Sequence, residues 1–167
     1  MKPRLDLLTH QDVSATRDLI ADVVLEFYSD LEFLPKTRNS LLEYYGKIGY
    51  LDDIADFESV YSRENGAFLV LKDAEGIHGC GGLHRLDVSR GELVRLWLKK
   101  ELRGMGYGRL IFDRLMRTAL EAGYKEIFLD TSHRCEAAIA MFRKNGFRDC
   151  GSYKESIGDV YMRKALR

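Results

Sequence analysis

"LRGMGYGRL", residues 102–110, sets Gly104, Gly106 and Gly108 on alternate positions between Arg103 and Arg109. Glycine has no Cβ and reaches positive φ at little cost, so other groups can approach its backbone closely. The stretch before it, GELVRLWLK (91–99), reads as a strand. The stretch after it puts Ile111, Phe112, Leu115, Met116 and Ala119 on one helical face, with Asp113, Arg114, Arg117 and Glu121 on the other. A glycine loop that feeds a helix N-terminus gathers unpaired N–H groups and suits an anion. Two nucleotide loops fail on spacing. A P-loop requires GxxxxGK[ST], and no Lys-Ser/Thr pair closes this stretch. The dinucleotide fingerprint requires GxGxxG in an opening βαβ unit. Here Arg109 stands in place of the third glycine, and the loop comes late in the chain, after antiparallel-looking strands.

Working outward, RLDLL (4–8) alternates as a strand does, and Thr9 is placed to cap a helix from Gln11 to about Phe27. Val13, Leu19, Ile20, Val23, Val24 and Phe27 form its apolar side. SDLEFLPKTRNS (29–40) reads as a loop or broken helix around Pro35, and DDIADFESVYSR (52–63) as a helix with Ile54, Phe57 and Tyr61 inward. GAFLVLKD (66–73) and IHGCGGLHRLD (77–87) flank AEG as a hairpin, with 91–99 as the next strand. Gly79, Gly81 and Gly82 inside the second arm mark a bulge or a close approach by another backbone. Gly123 stops the helix after the glycine loop. KEIFLDT (125–131) is a strand, and EAAIAMFRKNG (136–146) is a short helix ended by Asn145-Gly146. FRDCGSY and DVYMRKAL form a closing strand pair around KESIG.

At 167 residues one domain is expected, spanning 1–167. Lys+Arg and Asp+Glu both number 26, and this zero balance argues against a broad nucleic-acid footprint. Cys80, Cys135 and Cys150 form no CxxC pair, and His10, His78, His84 and His133 have no ligand spacing, so no metal is assigned. The N-terminus lacks the apolar core of a signal peptide, and no apolar run approaches the roughly 20 residues that span a bilayer. A cytoplasmic protein without membrane contact is expected.

RGMGYG (103–108) matches the R/Q-x-x-G-x-G/A signature of the GNAT superfamily of acyl-CoA-dependent N-acyltransferases. LWLKKELRGMGYGRLIFDRLM (96–116) resembles that family's fourth strand, loop and third helix. AAIAMFRKNGF (137–147) resembles its A-x-x-L/F-Y-x-K-x-G-F segment. The resemblance implies an α/β (α+β) fold: a mixed, mostly antiparallel sheet of about seven strands, helices on both faces, splayed between strands 4 and 5. It implies acetyl-CoA as cosubstrate, with no metal. The diphosphate would lie on the main chain of Arg103, Gly104, Met105, Gly106, Tyr107, Gly108 and Arg109, with Arg103 or Arg109 adding charge. The amides near Leu96 and Leu98 would hold the pantetheine arm and polarise the thioester carbonyl. Cys135, where relatives often carry Asn, would flank the arm together with Ala138 and Phe142.

The implied activity is acetyl transfer to a primary amine of a small molecule, amino acid or peptide, within a ternary complex. An ammonium must first lose a proton. Glu92 opens the fourth strand eleven residues before Arg103, where many relatives carry a basic glutamate; Asp130 is the second candidate. Phe142 stands where many relatives carry a tyrosine acid, a departure that leaves Tyr153 or Tyr161 as substitutes. Free thiols titrate near 8.5, so a thiolate can also leave unassisted. A weak or inactive acyl-CoA sensor is the alternative. Acceptor choice is expected in 27–50, with Phe27, Tyr28, Phe33, Tyr44, Tyr45 and Tyr50, and in 153–160. Plain packing in the core is the preferred reading of these aromatics, since apolar aromatics mark burial. His84, Arg85 and Asp87 end the third strand within reach of substrate or as an ordinary polar strand end. The sequence names no acceptor and is compatible with a homodimer.

Overall fold

Apolar residues on consecutive positions of a strand require cover on both faces. Residues 67–71, AFLVL, are such a run, and all five are buried. The computed structural model describes residues 2–63 and 65–167. Its strands are β1 (Arg4–Leu7), β2 (Ala67–Asp73), β3 (Gly76–Arg85), β4 (Arg90–Leu98), β5 (Glu126–Thr131), β6 (Arg148–Asp149) and β7 (Val160–Ala165). They form one seven-stranded sheet in the order β1-β2-β3-β4-β5-β7-β6. The helices are α1 (Val13–Tyr28), α2 (Arg38–Ile48), α3 (Asp52–Ala55), α4 (Tyr107–Glu121) and α5 (Glu136–Lys144). Phe68, Val70 and Cys80 pack with α1–α3 on one face. Leu69, Leu71, Leu83, Leu93, Ile127 and Leu129 pack on the other with Ile111, Leu115 and Ala119 of α4 and Phe142 of α5.

Neighbouring strands are antiparallel except β4 and β5, which pair in parallel from Arg90↔Glu126 to Leu93↔Leu129. Beyond Leu93, β4 keeps β3 as a neighbour but has no register partner on β5. The sheet therefore opens between Val94–Leu98 and the end of β5, as the splay implied by the resemblance requires.

Several elements differ from the sequence reading. Part of the expected loop is helix: α2 begins at Arg38, where the Thr37 hydroxyl accepts from the Ser40 N–H at 3.2 Å, and ends at Gly49 with φ 68°. Only Leu41 and Tyr45 of α2 are fully buried, so its apolar period is faint. The helix expected over 52–63 is instead α3 followed by a π turn at Glu58–Ser62; Ile54, Phe57 and Tyr61 still face inward. The closing strand pair shrinks, because β6 holds two residues and 150–159 is a loop. At Gly81 the close approach is by a side chain rather than a backbone. A Cβ there would lie 2.7 Å from Ile111 Cγ2. The bulge expected in this arm is at His78, between the partners of Leu71 and Lys72, while the register shift between Cys80 and Gly82 puts its extra residue on β4. Among the described residues no helix is long and apolar enough to cross a membrane.

Candidate active site

The glycine loop joins β4 to α4. Gly104 and Gly106 hold φ at 75° and 86°, the left-handed region that favours glycine. The Arg103 N–H closes a turn on the Lys100 carbonyl at 3.1 Å, and main-chain bonding resumes when the Leu110 N–H donates to Gly106 O at 3.0 Å. Among the described residues, the N–H groups from Gly104 through Arg109 have no acceptor within the protein. The dipole of α4 adds partial positive charge at the same end. Gly108 is helical with an ordinary φ, and a Cβ added there meets nothing within 4 Å. Nothing inside the fold requires glycine at that position. Both expected phosphate-binding arginines have carboxylate partners. Arg103 forks onto Glu26 at 2.5 and 3.0 Å, donates to Leu98 O at 3.0 Å and lies over the Phe27 ring; Arg109 donates to Asp113 at 2.6 Å.

Where β4 leaves β5, Arg95 adopts φ 57°, unusual for a residue with a side chain. Its guanidinium holds the conformation from the α1–α3 side. It donates to Asp53 at 3.0 and 3.2 Å and to Tyr50 O at 2.5 Å, and stacks on the Tyr50 ring at 4.4 Å. Asp53 also accepts from the Tyr61 hydroxyl. This bulge was missed in the sequence, although an arginine inside the apolar run LVRLWL was a signal for it. Leu96 and Leu98 send their side chains to the α4 face, against Gly81 and Gly79.

Glu92 lies one residue before the end of the β4–β5 ladder and is only 2% exposed. The Tyr153 hydroxyl donates to its Oε1 at 2.6 Å, His84 Nε2 lies 2.7 Å from its Oε2, and the Lys154 ammonium is paired with Oε1. Lys154 also reaches Asp130 Oδ1 at 2.9 Å, and Ser156 bonds the other Asp130 oxygen. Burial alone would raise the Glu92 pKa. Hydrogen bonds from His84, Lys154 and Tyr153 outweigh it and hold the carboxyl below the usual glutamate range. Burial and the adjacent Glu92 charge push the Tyr153 hydroxyl far above its ordinary value, so it keeps its proton. Lys154 loses some pKa to burial but gains more from Asp130 and Glu92, and it stays charged. No local pattern signals Lys154, which lies in the turn-like KESIG.

The other expected site residues fall as follows. Phe142 is buried, with ring centroids of Phe112 and Phe147 5.9 and 5.8 Å away, and Ala138 packs on the same cluster. Cys135 caps α5 and lies beside the Tyr28 hydroxyl. Arg134, not singled out in the sequence, donates to Phe27 O and forks onto Asp30. The end of α1 is thus tied to the glycine loop by Arg103 and to the segment after β5 by Arg134. Tyr161 donates to Gly158 O at 3.0 Å. Asp87 accepts the Ser89 and Arg90 N–H groups, both at 2.9 Å, and builds the β3–β4 turn. Among the aromatics of 27–50, Tyr45 is buried against Tyr50 at 4.4 Å, while Phe33 is exposed.

An opened sheet beside an anion-ready loop is the arrangement that the resemblance to acyltransferases implies. Residues 31–147 match the profile of the acetyltransferase (GNAT) family, and the chain belongs to that family. It is 26% identical over 157 residues to an uncharacterised N-acetyltransferase of Schizosaccharomyces pombe, covering 92% of this chain and 88% of that protein. It is 29% identical over 108 residues to probable N-acetyltransferase family 8 member 5 of Mus musculus, covering 62% of this chain and 48% of the mouse protein, about half its length. The fold is similar to that of the PaiA N-acetyltransferase from Thermoplasma acidophilum, solved in complex with coenzyme A. The TM-score is 0.77 at 20% identity, covering 99% of this chain and all of that one (100%).

Proposed function

We propose that residues 1–167 act as one catalytic unit that moves an acetyl group from acetyl-CoA to a primary amine of a small molecule, amino acid or peptide. Transfer is direct, in a ternary complex, and cytoplasmic. The run of N–H groups without protein acceptors, Gly104 through Arg109 at the head of α4, carries this reading. It suits a diphosphate in charge and in backbone access, and the open space beside Gly108 suits the same group. Acetyl-CoA supplies the activated acyl group. The N–H groups of Gly104, Met105, Gly106, Tyr107, Gly108 and Arg109 bind it. Main-chain donors near Leu96 and Leu98, past the end of the β5 ladder, orient the thioester carbonyl. Cys135, Ala138 and Phe142 flank the arm.

Glu92, ionised, is the base and takes the amine's proton directly or through a water. Phe142 has no proton to give, and a thiolate that titrates near 8.5 leaves without one. A sensor that binds acyl-CoA and transfers nothing is the second reading, supported by Phe142 and by the three partners that already occupy Glu92. Thiol release across an amine panel separates the two. The transferase releases thiol with at least one amine, and Glu92→Gln lowers kcat about 100-fold, with coenzyme A affinity retained. Coenzyme A binding with no release across the panel favours the sensor.

A further inference from the structure

Lys154 sits where the two parted strands meet. Glu92 belongs to the last paired stretch of β4, and Asp130 is the first β5 residue past the paired register. The Lys154 ammonium bridges these two carboxylates at the apex of the opening. We propose that Lys154 is an internal stand-in for the acceptor, and that a primary alkylammonium enters by replacing it between Glu92 and Asp130. The inference rests on the transferase reading and names its acceptor class.

Three observations carry it. First, Lys154 is more exposed than the groups it is paired among: its side chain is 32% exposed, against 24% for His84, 17% for Asp130 and 2% for Glu92. Second, only its head group is bonded to the carboxylates, on a flexible four-carbon stem. The surrounding loop is held by other groups. The Tyr153 ring packs on Phe128 and Tyr161 at 4.9 and 5.8 Å, the Asp159 N–H donates to Thr131 O at 3.1 Å, and the His133 N–H donates to Asp159 at 2.8 Å. Lys154 can therefore swing out by stem rotation while the loop backbone stays in place. Third, exchange of one ammonium for another leaves the charge of the cluster unchanged. A neutral occupant would leave the buried Glu92 short of a cation, which is costly. The site thus selects a cation on a slender, unbranched stem, the shape that already fills it.

The probe is n-butylammonium, the head and stem of lysine itself. Calorimetry should show Lys154→Met binding it at least tenfold more tightly than the wild type, and Lys154→Met with Asp130→Asn losing that gain. Equal or weaker binding by Lys154→Met overturns the proposal. If Lys154→Met does not fold, the wild type decides by NMR. The Lys154 side-chain resonances should move toward solvent-exposed values as n-butylammonium is added, and resonances that stay fixed to the solubility limit overturn it. The two readings fail separately. Thiol release without this exchange sinks the stand-in alone, and exchange without thiol release for any amine sinks the transferase.

Discussion

From Gly104 to Arg109 the functional groups are main-chain N–H donors that find no acceptor inside the protein, while around Glu92 they are side chains that each have a partner already. The loop is made by backbone shape, and its glycines matter for what they leave out. The cluster is made by charge balance, and each member matters for what it supplies. A substitution in the loop should therefore spare the fold and damage binding, whereas one in the cluster should damage the fold first.

The largest expected effect is at Glu92. Glu92→Ala removes the shared acceptor of His84, Tyr153 and Lys154 from a buried position, and stability should fall by about 3 kcal/mol. Urea unfolding measures this. A loss below about 0.5 kcal/mol, the range of ordinary surface changes, would place the cluster in the same class as the loop. Next comes Gly108→Val. The added side chain enters open space, so stability of the free protein should change by less than about 1 kcal/mol. The coenzyme A Kd should rise about tenfold, equivalent to about 1.4 kcal/mol. Unchanged affinity by calorimetry would break the assignment of that loop.

A smaller effect separates the two regions by pH. The folded Glu92 carboxyl titrates below its ordinary value, and the unfolded one near about 4.3. The unfolded chain therefore takes up this proton first as pH falls. The stabilisation is complete above about pH 4.3 and is lost as pH drops through the folded value. The urea midpoint of Glu92→Gln should fall less steeply than that of the wild type on the acid side; identical slopes would contradict the paired carboxylate. The smallest effect is at Arg109, whose surface pair with Asp113 should contribute less than about 0.5 kcal/mol, so Arg109→Ala should unfold at nearly the wild-type midpoint.

Most of the fold was legible because its strands and α4 carry strong patterns: AFLVL for a strand covered on both faces, and Ile111, Phe112, Leu115 and Ala119 for one helical face. The α2 helix was hidden because its helical signal lies mainly in Thr37 and Gly49 at its ends. The site divided in the same way. The glycine loop is local in sequence and could be read from spacing. Lys154 meets Glu92 across 62 positions of chain, and Arg95 meets Asp53 across 42, so only tertiary structure joins them. Glu92 was picked out by its position before the glycine loop. Tyr153 and His84 were named, but not as its partners, and Lys154 was not named at all, because a hydrogen-bond network has no period.

Among the described residues, the ladder from Arg90 to Leu93 against Glu126 to Leu129 is the only strand pairing between β1–β4 and β5–β7–β6. It works as a short spine between two leaves, each bound internally by its own antiparallel pairs. Breathing about that spine would widen or narrow the cleft without unpicking either leaf. Amide exchange would register it as slow protons within β2 and β3 and fast ones along the outer edge of β4 past Leu93.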